Sequence, residues 1–189
     1  MSISKQVENI LNKEYYYQKA IELDIANFSA IAKKIQEKTG GNLEAVKVAV
    51  MRWSEKHKKA PSQIKDILSI LKKSSVSLES NVHAFVLKEK NVDKLKGEKV
   101  VGKNFALLIT KDPVQIKKSL LRHEEVYNLK LESPPEIEKV IGVIEFILNK
   151  LAAKGINVLE FYSCYTDTNF LVNKKDAVNA FKIIEEITS

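Results

Sequence analysis

Chemically reactive side chains are scarce in this sequence. Its 189 residues include one cysteine and three histidines. An internal disulfide is therefore excluded, and the soft metal ligands are too few and too scattered for the usual zinc sites. Gly102-Lys103 lacks the Gly-x-x-x-x-Gly-Lys-Ser/Thr spacing of a phosphate-binding loop. We therefore expect no metal, no cofactor, no catalytic residues and no enzyme activity.

Long apolar runs are missing as well. No stretch approaches the roughly 18 residues that a membrane span needs, and the N-terminal sequence MSISKQVENILNKEYYY has no apolar region of the secretory type. Without an export signal, the reducing cytoplasm is the expected location, with no membrane partner. Abundant Lys, Glu and Ile with little Gln favour a thermophilic source.

The single cysteine lies in the stretch GINVLEFYSCYTDTNFLV, residues 155–172. The surrounding residues have strong β-propensity and predict two strands with a turn around Thr166, Asp167 and Thr168. A catalytic thiol needs a base, and no motif links Cys164 to any histidine. We interpret Cys164 as a structural residue of a strand.

What the sequence does have is an uneven charge. Residues 1–75 contain 14 Lys and Arg against eight Asp and Glu, a net charge of +6, whereas residues 76–189 have a net charge of +1. Such asymmetry indicates one region that faces a polyanion beside another with a different role.

Helical periodicity predicts a helical domain over residues 1–75. Within it, DIANFSAIAKKIQEKTGGN and LEAVKVAVMRWSEKHKK predict two helices separated by a glycine turn. Asn27 or Ser29 could cap the first helix, Gly40 ends it, and Asn42 could cap the second. Over residues 25–60 this pattern resembles a helix-turn-helix.

In a helix-turn-helix the second helix would contact DNA. Basic residues that could touch bases or phosphates occur along it and just after it, namely Lys47, Arg52, Lys56, Lys58 and Lys59. The same face carries Glu44 and Glu55, which suit base contacts poorly. A solvated face that packs on a protein partner is the alternative.

The region 76–189 has mixed periodicity and predicts an α+β domain. Predicted strands cover 82–89, 105–110, 126–132, 156–165 and 168–172, with a long helix ending at Lys154 and a closing helix at 176–187. NFALLITKDPVQIKKSLL (104–121) and NFLVNKKDAVNAFKII (169–184) both begin Asn-Phe, continue as a strand and enter an amphipathic helix after Lys-Asp. This predicts a repeat about 64 residues apart, with the first helix of the first copy reduced to NVDKLKGE.

Residues 126–187 resemble an ACT domain, the ferredoxin-like βαββαβ amino-acid-sensing module, and most closely those of aspartokinases. The similarity rests on Gly142-Val143, on LAAKGINVLEF and on CYTDTNFLV. The chain departs from that family by Ile141-Gly142 in place of Pro-Gly, by the inserted PPEIEKV, and by the missing fourth strand. A strand from 82–89 or 105–110 could fill the fourth position. Nothing resembles an aspartokinase catalytic domain.

The resemblance implies a ligand site where the 126–132 strand enters the long helix, formed by Ser133, Ile141, Gly142 and Val143 with Asn157 facing them. It also implies an amino acid as the ligand. Together with the basic helical domain, it indicates a homodimeric, amino-acid-responsive transcriptional regulator. A regulatory subunit that docks on an amino-acid-biosynthesis enzyme is the alternative, and RNA binding through Tyr15–Tyr17 and the lysines is a third.

Overall fold

A computed structural model describes residues 1–57, 62–88, 92, 94–111, 116 and 119–189. The chain divides into two compact units, Met1–Ser62 and Gln63–Ser189. None of the helices in these described ranges is both long enough and apolar enough to cross a membrane.

The first unit is helical, as predicted. Its described helices are α1 (Ile3–Leu11), α2 (Tyr15–Glu22), α3 (Phe28–Thr39) and α4 (Leu43–His57). They share a core whose fully buried members include Val7, Leu11, Ile35 and Val46. Burial of each such side chain contributes roughly 1.5–3 kcal/mol.

The predicted helix-turn-helix segment consists of α3 and α4 with three residues between them. The Asn27 side chain accepts a hydrogen bond from the Ala30 N–H at 3.0 Å and caps α3. Gly40 ends α3 at φ 68°, a left-handed conformation that glycine adopts without a Cβ clash. Asn42 Oδ1 accepts from the Glu44 N–H at 2.9 Å. The caps and the turn are therefore as predicted, but they do not by themselves assign a DNA-binding role.

Helix α5 (Ser62–Leu71) packs in the second unit. Its buried residues Ile67, Ile70 and Leu71 are part of the main core of the sheet. The compact units therefore divide at residue 62, whereas the sequence analysis places the domain boundary after residue 75. Periodicity identifies the apolar face of α5 but does not reveal which core that face joins.

The second unit is built on a six-stranded antiparallel sheet. Its strands are β1 (Ser75–Lys88), β2 (Glu98–Val101), β3 (Phe105–Thr110), β4 (Leu121–Glu132), β5 (Val158–Cys164) and β6 (Asp167–Asn173). A 3-10 helix (Pro135–Lys139) and α6 (Val143–Ala153) lie between β4 and β5, and α7 (Lys174–Thr188) follows β6. The order β4-α6-β5-β6-α7 is the βαββα order that the resemblance implies.

The order of the strands across the sheet, β2-β3-β1-β4-β6-β5, is symmetric about its centre. In each half the first strand is central, the second is at the edge, and the third lies between them. This symmetry supports the internal repeat predicted from the sequence. It also places β1 beside β4, so one of the two anticipated strands fills the fourth position.

The repeat is offset by one residue at its Asn-Phe pair. Phe170 is fully buried, whereas Phe105 is 55% exposed. Adjacent residues of a strand point to opposite faces, so a one-residue offset reverses the face. Ala106, not Phe105, is buried in the first half. The helix predicted to follow β3 falls largely on residues outside the described ranges.

The two central strands are bent at equivalent places. Asn81 in β1 and Glu125 in β4 have φ values of 56° and 54°. Asn81 directly precedes Val82, and Glu125 directly precedes Val126. Val82 and Val126 pair with each other, and the register between β1 and β4 shifts at this pair. Irregularities of this kind bend a strand and increase its twist. Both lie in the two central strands of the sheet, β1 and β4.

The two faces of the sheet differ. One face is covered by α5, α6 and α7, with Leu129, Leu131 and Phe170 in its core. The other face is concave and has an apolar floor that includes Val82, Val126 and Leu171. The sheet curls until its two edge strands meet, with the Tyr162 O–H of β5 donating to Glu98 Oε2 of β2 at 2.8 Å.

Candidate functional site

The start of α6 borders an open groove with a volume of about 410 Å³. We call it the α6 groove. Its lining comes from the 3-10 helix, the first turn of α6 and the β5–β6 hairpin, and comprises Ile137, Glu138, Val140, Gly142, Val143, Ile144, Glu145, Ser163, Tyr165 and Thr168.

Local sequence explains one wall of this groove. Pro135 lies at the first position of the 3-10 helix, where a fixed φ is favourable and no N–H is needed. Val140 closes that helix with a hydrogen bond from its N–H to Ile137 O at 3.1 Å. Gly142 then turns the chain into α6 at φ 90°, a conformation that strains other residues. Phe146 N–H donates to Gly142 O at 2.9 Å, which starts the helix.

The electrostatics of the groove suit a zwitterion. Gly142 has no side chain and provides no side-chain cap for α6, and the positive end of the helix dipole favours an anion there. Glu138 and Glu145 supply carboxylates in the same groove, while Val140 and Ile144 supply apolar surface. A ligand carrying a carboxylate, an ammonium and a small apolar side chain matches this set of groups.

The structure brings only part of the predicted ligand set together. Gly142 and Val143 line the groove, and Ile141 precedes them with 78% of its surface exposed. Ser133 is buried, and its Oγ accepts a hydrogen bond from Ser74 Oγ at 2.9 Å. Asn157 follows the C-terminal end of α6, which is about 16 Å from its N-terminal end at 1.5 Å per residue. Asn157 therefore does not face Gly142.

The hairpin residues Ser163, Tyr165 and Thr168 were missed as lining residues. The hairpin turn consists of Tyr165 and Thr166, because Asp167 is already the first residue of β6. The predicted turn was thus displaced by about one residue. As a result Tyr165 was assigned to a strand instead of to the turn that borders the groove. Tyr165 has φ 54° and is 61% exposed over the groove, and a bulky residue at positive φ is an unusual feature.

An ion-pair cluster supports this hairpin. Lys130 Nζ lies 3.1 Å from both Glu132 Oε1 and Asp167 Oδ2. The hydrogen bond to Asp167, followed by that to Glu132, raises the pKa of Lys130 above its usual value. The cluster joins the end of β4 to the start of β6.

The single thiol is not part of this site. Cys164 is exposed and ends β5, where it pairs with Asp167. In the part of the chain that the structure describes, no three His, Cys, Asp or Glu residues are placed to hold a metal ion.

The predicted DNA-contacting residues lie along α4. Arg52 and Lys56 are exposed, as are the acidic Glu44 and Glu55, while Lys47 is half-buried. Lys58 and Lys59 lie outside the described residues. The exposed surface of α4 therefore mixes both signs of charge, as the sequence indicates.

Comparison with known proteins is informative about the fold alone. No family model and no curated protein sequence matches the chain. A Vibrio cholerae protein described as of unknown function and a possible transport protein is similar in structure, with a TM-score of 0.54, 16% identity, and coverage of 67% of this chain and 99% of that one.

Two aspartate kinase structures superpose less closely. The regulatory subunit from Thermus thermophilus has a TM-score of 0.49 at 10% identity, with 60% of this chain and 97% of that chain covered. The aspartate kinase of Clostridium acetobutylicum has a TM-score of 0.49 at 11% identity, with 61% of this chain but 35% of that chain covered.

Proposed function

We propose that this protein is a non-catalytic regulator whose sheet unit binds a small amino acid in the α6 groove. The observation that carries the proposal is a helix start whose N-cap residue has no side chain, together with two carboxylates in the same groove. The ACT resemblance of residues 126–187 and the βαββα order of the second half add support.

The ligand would be held by complementary charges. Its carboxylate would accept hydrogen bonds from first-turn N–H groups of α6, assisted by the helix dipole. Its ammonium would donate to Glu138 or Glu145 across the groove. Contacts with Val140 and Ile144 favour a small apolar side chain over a long charged one.

A thermal-shift screen of the twenty amino acids tests the proposal, since a ligand that binds only the native state raises its stability. We expect one or a few small apolar amino acids to raise the melting temperature. Glu138→Gln should weaken binding about tenfold, the value of one charge-assisted hydrogen bond. Glu186→Gln, an exposed change on α7, is the matched control.

A second variant tests the hairpin side of the groove. Tyr165→Asn keeps a residue that tolerates positive φ but removes the aromatic ring from the lining. It should weaken amino-acid binding without lowering stability. If every amino acid leaves the melting temperature unchanged, the α6 groove is not an amino-acid site.

The regulatory output that we propose is DNA binding through α4. The net charge of +6 in residues 1–75 and the exposed Arg52 and Lys56 support it. Replacing Lys56, Lys58 and Lys59 with Glu should weaken binding to all sequences and reduce the log–log salt slope by about 0.9 for each lost phosphate contact. Replacing Arg52 or Lys47 should instead erode sequence preference. Lys175→Glu, exposed on α7, is the control.

Docking on an enzyme is the alternative output, and the exposed Glu44 and Glu55 on α4 favour it. A gel-shift titration of random duplex DNA at about 50 mM salt separates the two, because non-specific contacts are strong there. Failure of the wild-type protein to retard DNA would favour the docking role.

We also propose a homodimer. The residues of edge strand β2 are exposed along its whole length, including Val100 and Val101, and exposed apolar residues favour association with another copy. DNA-reading helix-turn-helix proteins also bind as two-fold dimers. Light scattering at micromolar concentration should give twice the chain mass of 21.4 kDa, and a monomer mass would contradict the proposal.

A further inference from the structure

The concave face of the sheet contains a second cavity, which shares no lining residue with the α6 groove. Its volume is about 240 Å³. Polar and charged side chains around it include Glu79, Lys96, Glu98, Lys111 and Asn128. They come from β1, β2, β4 and the segments next to β2 and β3, so both halves of the sheet contribute. We call it the concave cavity.

Asn128 provides a buried acceptor at this cavity. Its side chain is only 3% exposed, and its Nδ2 donates to Asn169 Oδ1 at 2.9 Å and to Glu79 Oε2 at 3.5 Å. Its Oδ1 is inaccessible to solvent and has no hydrogen-bond partner among the described residues. Nearly all buried polar atoms have a partner, because leaving one unpaired costs free energy. A ligand that donates a hydrogen bond would satisfy this oxygen, once a small displacement of the lining side chains lets the donor reach it.

Two carboxylates border the same cavity. Glu79 Oε1 lies 3.2 Å from Lys111 Nζ, and the other Glu79 oxygen faces the Asn128 amide. Glu98 accepts a hydrogen bond from Tyr162 across the curl of the sheet. Lys111 is thus already paired, and Lys96 is exposed at the rim, where solvent and salt screen its charge.

Tyr162 acts as a fixed donor to Glu98. Burial, then the hydrogen bond to Glu98 and the charges of Glu98 and Glu79, raise the pKa of its phenol well above its usual value. The phenol therefore keeps its proton and orients one Glu98 oxygen. Glu98 Oε1, the second lone pairs of the two Glu79 oxygens and Asn128 Oδ1 are left as acceptors for a ligand.

We propose that the concave cavity binds the primary ammonium group of a small organic amine, with N–H donors to Asn128 Oδ1 and to the Glu79 and Glu98 carboxylates. A primary ammonium carries three donors and no acceptor, which matches three acceptors that surround one space. The cavity volume of about 240 Å³ suits a short aliphatic amine. This site is independent of the amino-acid groove proposed above.

Calorimetric titration with n-butylammonium chloride tests the proposal. Tetramethylammonium chloride at equal ionic strength is the matched control for charge, because it has no N–H donor. 1-Butanol is the matched control for shape without charge. We expect heat of binding for n-butylammonium alone. Equal binding of tetramethylammonium, or no binding of n-butylammonium in the millimolar range, would overturn the proposal.

Variants locate the binding site. Glu98→Gln keeps the size of the side chain and an oxygen that can accept from Tyr162, and it should weaken n-butylammonium binding about tenfold. Glu186→Gln should leave it unchanged. The side-chain amide resonances of Asn128 should shift on titration, which monitors the buried acceptor without mutating it. Wild-type affinity in Glu98→Gln, or unmoved Asn128 resonances, would exclude this cavity.

The two ligand sites can be tested separately. Glu138→Gln should change the response to amino acids and leave n-butylammonium binding intact, whereas Glu98→Gln should do the reverse. If both variants changed both responses, the concave cavity would not be an independent amine site.

Discussion

The two halves of the sheet share one strand order but differ in what covers them. The second half, β4 to β6, is covered by α6 and α7 and shares a large core with α5. In the first half, β1 to β3, the buried strand residues Phe85, Leu87, Ala106 and Leu108 pack with a few loop residues that include Val92, Leu95 and Ile116. Among the described residues, strand pairing is therefore compatible with different cover, and the groove at a helix start lies in the half with α6.

Equivalent leucines should measure this difference directly. Leu131 in β4 and Leu87 in β1 are both buried, at 0% and 1% exposure, but among the described residues Leu131 lies in the larger core and Leu87 in the smaller one. We expect Leu131→Ala to lower the free energy of unfolding by about 4–5 kcal/mol and Leu87→Ala by about 2–3 kcal/mol, because a small core can relax around the cavity. Urea denaturation measures both. Equal losses would show that the helices do not make the second core more rigid.

Substitutions at two glycines with positive φ, one in each half of the sheet unit, should also differ in their effect on stability. In the first half Gly97 has φ 138°, and a Cβ there would overlap Ile109 O. In the second half Gly155, which follows α6, has φ 72° and open space around it. Gly155→Ala should lower the free energy of unfolding by about 1–2 kcal/mol, which is the cost of placing a Cβ in the left-handed conformation. Gly97→Ala should cost about 3 kcal/mol, because backbone must move. The reverse order in thermal denaturation would contradict the close approach of backbone at Gly97.

The hydrogen bond between the halves should be measurable through pH. Tyr162→Phe removes the donor to Glu98 and should lower the free energy of unfolding by about 1 kcal/mol near neutral pH. The native pKa of Tyr162 lies above the unfolded value near 10, so the native state binds more protons. Its stabilisation is complete below that value and is lost as pH rises above it.

The comparison of wild type with Tyr162→Phe isolates this effect from the titration of lysines. Urea denaturation at pH 9 and at pH 11 should show a larger loss for wild type than for the variant. Parallel losses would mean that Tyr162 is not linked to the stability of the curled sheet.

The smallest effect concerns the β5–β6 hairpin. Lys130→Gln removes the ion pairs with Glu132 and Asp167 and should lower stability by about 0.5 kcal/mol, as for other exposed pairs. The difference should vanish in 1 M salt, where the Debye length is about 3 Å. A difference that persists in salt would indicate a packing role for the lysine stem.

The sequence predicts most elements of the fold because their signals are local. Asn27, Gly40 and Gly155 mark helix ends through capping and positive φ, and the structure confirms all three. The assignment of α5 is not local, since its apolar face could have joined either core. Only the three-dimensional packing of Ile67 and Leu71 decides this.

The bulge in β1 also could not be predicted. Along an uninterrupted strand Val76, Leu78, Val82 and Ala84 would all face one side. In the structure Val76 and Leu78 pack with the helices, while Val82 and Ala84 lie on the concave face. The register shift near Asn81 reverses the alternation, and nothing in the spacing of apolar residues indicates it.

The candidate sites divide in the same way. Gly142 and Val143 were predicted from the ACT resemblance, which rests on short stretches of sequence. The position of Tyr165 over the α6 groove and the existence of the concave cavity could not be predicted, because they depend on strand register and on the curl of the sheet. The pairing of β1 with β4 places Glu79 opposite Asn128, although 49 residues separate them in the chain. No local pattern indicates that contact.

The position of β1 determines how far the second half can exist alone. A fragment starting at Leu121 would keep β4, α6, β5, β6 and α7, yet it would lose the strand that pairs with β4 along most of its length. It would also lose Val76 and Leu78 from its core. Such a fragment would leave one edge of β4 unpaired, which is a template for aggregation or strand exchange with another copy. The predicted repeat is therefore not a pair of separable modules, and gene fragments should be cut before α5.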